Sequence, residues 1–273
     1  MSYMFSEAIA RNARTLSTVS TQMGLGVEAQ ISRPHDERND GKVWPSGTSL
    51  VFGVAAKERV ATAPAVAHSL RWALRCRLPL SVAVGNARSD VLALLTEGMR
   101  SQMTELSVEV DAVAECMPES LAACDGRCGA FLCALSTFPH VTKLSLLCGK
   151  VDDDARAAVC VQRALRVAAQ MPISVIEIEG FVQLRDFSAL AQSQLLRSLA
   201  ATRCGIQSVG DLVSCPMLTD LKVSENQLPR TLSGLAGVPC LHILNESSCS
   251  LQALNGLGSC PRFSILDESD NEL

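Results

Sequence analysis

Residues 218–228 read LTDLKVSENQL, in which Leu218, Leu221, Val223, Asn226 and Leu228 are spaced L-x-x-L-x-V-x-x-N-x-L. The frame returns 23 residues later as Leu241, Leu244, Glu246, Cys249 and Leu251. It returns after a further 22 as Phe263, Leu266, Glu268, Asn271 and Leu273. It also stands 22 residues earlier, as Leu196, Leu199, Ala201, Cys204 and Ile206. Pro216, Pro239 and Pro261 each fall two residues before a copy. Self-similarity at a fixed short period is the mark of a solenoid, in which each unit buries its apolar face against the next.

Upstream the frame stretches. Ile173, Ile176 and Ile178 fit, with Phe181 in the polar position. Val141, Leu144, Leu146 and Val151 fit with Gly149 there, and Met103, Leu106, Val108, Asp111 and Val113 fit as well. These units are longer, at 32 and 38 residues. Strand-like runs are expected at 49–54, 80–84, 104–110, 142–147 and 174–179, with helical patterns at 57–77, 89–101, 118–136 and 152–170. The last is the clearest. Asp152, Asp153 and Asp154 suit a helix N-terminus by their charge, and Ala158, Val161, Leu165, Ala168 and Ala169 share one face. Alternating strands and helices imply a parallel sheet.

The repeat resembles the leucine-rich repeat family, including its exchange of Asn and Cys at the ninth position. A side chain there must satisfy backbone groups where the chain leaves the strand, and both residues carry a donor. The resemblance implies an α/β solenoid, a horseshoe with seven to nine parallel strands on the concave side. Helices or short turns would line the convex side. It covers 103–273 and extends over 48–102. Residues 1–46 read as a tail or linker, and 47–273 as the repeat domain, most regular in 194–273.

Composition narrows the function. The chain has 273 residues, 48% hydrophobic but only 4% aromatic, and a net charge of −4. With a pI near 5.6, non-specific nucleic-acid binding is disfavoured. No apolar run approaches the ~18 residues of a membrane span. The first 25 residues lack an unbroken apolar core, so the twelve cysteines are expected as free thiols in the cytoplasm. Arg11 and Arg14 with a single acid, Glu7, leave a mitochondrial presequence as the alternative.

Catalytic signals are weak. The four histidines, His35, His68, His140 and His242, fall in unrelated contexts. No nucleophile elbow, Walker loop or dinucleotide fingerprint is present. Cys124, Cys128 and Cys133 are spaced C-x3-C-x4-C, looser than the paired ligands of structural zinc, so no metal and no cofactor are expected. Gly85 to Asp90 reads as an ordinary helix cap rather than an anion site.

The resemblance instead implies protein binding through side chains that leave the concave sheet. These are Glu105, Ser107, Lys143, Ser145, Glu177, Glu179, Arg197, Thr202, Asp220, Lys222, Ser224, His242, Asn245 and Asp267. A non-enzymatic scaffold or adaptor in an intracellular complex is the leading expectation. The alternative is an enzyme or ligand-binding protein with its site in the irregular first 100 residues. A second contact is expected at the C-terminal edge of the solenoid, where no polar cap is evident. Glu246 and Glu268 stand where the frame wants an aliphatic residue. Either the register shifts to turn Ile243 and Ile265 inward, or the end repeats are loose and present a polar surface.

Overall fold

Parallel pairing joins nine strands in strict chain order in the computed structural model. The structure describes residues 50–54, 80–85, 92–93, 95–110, 129–149, 154–228, 232–249, 252–267, 269 and 271. The strands are β1 (Leu50–Val54), β2 (Leu80–Gly85), β3 (Met103–Val110), β4 (Lys143–Cys148) and β5 (Val175–Glu179). They continue with β6 (Ser198–Thr202), β7 (Asp220–Lys222), β8 (Ile243–Asn245) and β9 (Ile265–Asp267). This is the leucine-rich repeat solenoid expected from the period.

Register follows the repeat. Leu106, Leu144, Ile176, Leu199, Leu221, Leu244 and Leu266 lie side by side across the sheet. The first six are buried and form the spine of the core, while Leu266 at the edge is half-buried. Successive strand residues face opposite sides, so the residues between the leucines leave the core.

Unit length decides what covers the inner face. The long unit after β4 has room for a helix, α3 (Asp154–Ala168), after the short α1 (Glu97–Arg100) and α2 (Ala130–Cys133). Its buried stripe is Ala157, Ala158, Cys160, Val161, Ala164, Leu165 and Ala168, mostly small side chains. Among the described residues, the short units hold only 3₁₀ turns, at Ser188–Leu190, Gly210–Ser214, Ser233–Leu235 and Leu257–Ser259. Two expected helices are corrected. Of 118–136, the described part is α2 and a 3₁₀ turn at Leu135–Thr137, and α2 begins only after Gly129, which lacks the side chain to cap it. Of 89–101, residues 92–93 are helical, 95–96 are not, and the helix resumes as α1. The pattern at 57–77 lies outside the described residues.

Both expectations for Glu246 are also corrected. The register does not shift: Leu244 is buried, Ile243 is half-buried, and Ile265 is 48% exposed. Nor is this repeat loose there, because Glu246 is fully buried in the row that Val223 and Ala201 occupy. Its backbone N–H donates to Asp267 O at 3.0 Å, so the sheet ladder holds the carboxyl inward. Glu268 lies outside the described residues.

Candidate functional site

The outward rows of the sheet form the candidate interface. One row runs Ser107, Ser145, Glu177, Ala200, Lys222, Asn245, Asp267 across β3 to β9. The row before it runs Glu105, Lys143, Val175, Ser198, Asp220, Ile243, Ile265. A third carries Glu109, Leu147, Glu179 and Thr202. Adjacent strands lie about 4.8 Å apart, so neighbours in a row touch. Every expected interface residue is half-buried or exposed, as an outward position requires.

Four polar groupings order this face. At its centre, Lys143 Nζ meets Glu177 Oε1 at 2.8 Å and Ser145 Oγ donates to Glu177 Oε2 at 2.7 Å. Partial burial pushes the Glu177 carboxyl up, but the hydrogen bonds from Lys143 and Ser145 outweigh it and hold the group below the ordinary glutamate value. Toward the C-terminus, Ser224 Oγ donates to Asn245 Oδ1 at 2.6 Å and Asn245 Nδ2 donates to Asp267 Oδ2 at 2.7 Å. The Ser269 hydroxyl and amide donate to Asp267 Oδ1 and hold that carboxyl low as well. At the entry to these strands, His242 Nδ1 and Ser264 Oγ lie 2.9 Å apart.

The fourth grouping was not visible in the repeat frame. Arg203 pairs with Glu179 and reaches Glu225 Oε2 at 3.9 Å, clamping three successive repeats. It sits where the chain leaves the strand. Gly180, Arg203, Glu225 and Ser248 occupy that one repeat position, and all have positive φ, between 54° and 87°. Glycine usually marks such a position, and here only the first copy has it. The one sequence signal was a charged residue recurring just before the Cys/Asn position.

Beneath this rim lies the ladder that fixes the strand exits. Asn226 Oδ1 accepts from the N–H of Cys204 at 2.9 Å and of Ile206 at 3.1 Å. Its Nδ2 donates to the carbonyls of Ala201 at 2.7 Å, Val223 at 2.8 Å and Ser224 at 3.0 Å. Asn271 repeats the pattern on Cys249 N–H at 3.0 Å and Glu246 O at 2.9 Å. The cysteines between them donate: Cys204 Sγ lies 3.2 Å from Thr202 O, and Cys249 Sγ lies 3.0 Å from Val223 O. Burial pushes the Cys204 thiol up to about 11, so it stays protonated and able to donate. Cys215 and Cys260 are buried as expected of core residues, with Sγ lying 3.3 Å and 3.2 Å from Leu190 O and Leu235 O.

His140 is exposed in a turn. His35, His68, Cys124 and Cys128 lie outside the described residues. Among the described residues, no group of three or more His, Cys, Asp or Glu is placed to hold a metal ion. No described helix is long and apolar enough to cross a membrane.

No protein-family model and no curated protein matches the sequence. Among solved structures, the chain is similar to internalin C2 of Listeria monocytogenes, at 17% identity over 77% of this chain and 84% of that one, with a TM-score of 0.41. It is also similar to internalin F of Listeria monocytogenes, at 13% identity over 82% of this chain and 81% of that one, with a TM-score of 0.37.

Proposed function

We propose that this leucine-rich repeat solenoid is a non-enzymatic protein–protein interaction scaffold or adaptor, a subunit or regulator of a cytoplasmic complex. One observation carries the reading: the outward rows from β3 to β9 form a continuous, solvent-accessible face in regular register. Protein partners bind such a face through complementary shape and charge. The described outward rows carry no Trp, Tyr or Phe, the aromatic residues that anchor tight interfaces. Specificity then rests on the fixed carboxylates and amines, and the interface is a polar, wet one.

The test is affinity capture from native lysate with a face-inverted variant, Lys143→Glu, Glu177→Lys and Lys222→Glu. Exchanging Lys143 and Glu177 keeps their ion pair and so spares the fold, while the surface charge is reversed. The folded variant is expected to lose the partners that the parent retains. A folded variant that keeps the same partners would overturn the reading and direct attention to the first 100 residues.

A further inference from the structure

Strand β9 ends the sheet, and one of its edges is open in the described structure. The N–H groups of Ser264 and Ile265 both donate to His242 O, at 3.1 and 3.0 Å, and Asp267 O accepts from Glu246 N–H at 3.0 Å. Ile265 and Asp267 therefore turn their backbone groups toward β8. Backbone direction alternates along a strand, so Leu266 presents its N–H and C=O to the open side. The core is also open there. Leu241 and Leu244 are sealed at 0% exposure, whereas their counterparts Phe263 and Leu266 are only half-buried, and so is Leu254.

Sheets blunt their free edges with charge, proline or a bulge. This edge has isoleucine at its centre, with Ile265 48% exposed. Its charges stand at the two ends, Arg262 before the strand and Asp267 at its close, and both are exposed. A second copy aligned in parallel would set like charge against like. An antiparallel copy sets the Arg262 end of each against the Asp267 end of the other. Centred on Ile265, that pairing also sets the outward N–H of Leu266 opposite the outward C=O of Ser264, whose own N–H is held by His242 O, so each copy donates one hydrogen bond to the other.

We propose that β9 is the contact through which two copies of this chain associate, antiparallel, about a two-fold axis beside Ile265. The two Ile265 side chains meet on the concave side, and the half-buried Phe263, Leu266 and Leu254 of each copy cover those of the other. The contact is isologous and therefore closes at a dimer rather than growing into a filament. Strand β9 has only three residues, so association is weak and depends on concentration.

Sedimentation velocity on the 273-residue chain, over a series reaching about 100 µM, tests this in the range where small interfaces associate. The weight-average mass is expected to rise from 29.1 kDa toward twice that value. Ile265→Lys puts two ammonium groups across the axis and is expected to stay monomeric throughout with an unchanged melting temperature. Arg262→Asp is expected to weaken association by about tenfold, and adding Asp267→Arg to restore it. Asp267→Arg also removes the bonds from Asn245 and Ser269, so mere local damage would make the double variant worse, not better. A parent chain that stays monomeric overturns the proposal. So does a folded Ile265→Lys protein that dimerises as the parent does. Where Ile265→Lys lowers the melting temperature, restoration by the double charge variant decides.

Discussion

Asn226→Ala is expected to lower the unfolding free energy by about 4 kcal/mol or more, since each buried group left unpaired costs about 1–3 kcal/mol. The side chain gathers five backbone groups from two successive repeats, and alanine releases all of them. The two amides, of Cys204 and Ile206, belong to buried residues with no route to water. Total stability of a folded domain is about 5–15 kcal/mol, so this one change removes a large share of it. In a solenoid each unit contacts only its neighbours, and the damage stays local. Hydrogen exchange is therefore expected to accelerate from β6 to β9 while β3 to β5 stay protected. Asn226→Cys, which copies the neighbouring repeats, keeps a donor but only a weak acceptor, and falls between the two. Uniform exchange across the sheet would show that the ladder does not hold the repeats together.

Gly205→Ala is the second severe change. Gly205 has φ +63, and an added Cβ would stand 2.0 Å from the carbonyl oxygen of Val182. That atom is backbone, in a segment tied to this one by Leu184 N–H to Cys204 O at 3.2 Å and Gln207 N–H to Arg185 O at 2.7 Å. The two chains must separate, and the left-handed conformation adds its own cost. Together these are expected to destabilise by about 3 kcal/mol. Gly258→Ala is the matched control, because its Cβ would meet nothing within 4 Å. Guanidinium unfolding of the pair measures the difference. Equal midpoints would mean that segment 181–187 is free to move away.

The repeat made most of this architecture legible. A fixed spacing identifies every inward leucine once one is placed, so strand order, register and the Cys/Asn ladder all follow from residues 196–273. Helices were harder to read. In 118–136 the apolar spacing suits a helix, but the described residues begin at Gly129, and the helix there starts only at Ala130, after a glycine with no side chain to cap it. Glu246 departs from expectation for a different reason. Its cost as a buried carboxyl is real, yet Leu244 on the same strand and the backbone bond to Asp267 fix the register more strongly. Arg203 escaped notice because its role depends on a backbone conformation that sequence marks only through glycine. On the outward face, the fourteen expected residues could be placed but not paired. Nothing in the spacing showed that Glu177 would draw both Lys143 and Ser145 to itself.

The ladder has a consequence for how such a chain can change length. Each asparagine accepts amides from the cysteine-bearing unit before it, as Asn226 does for Cys204 and Asn271 for Cys249. Excising one unit would bring two cysteines, or two asparagines, into succession. Cys204 would then face a thiol, and its amide would lose the strong acceptor it now has. Excising two consecutive units restores the alternation and every bond in it. Parity is thus built into this stretch, and insertions or deletions that keep the strand exits satisfied occur in pairs of repeats.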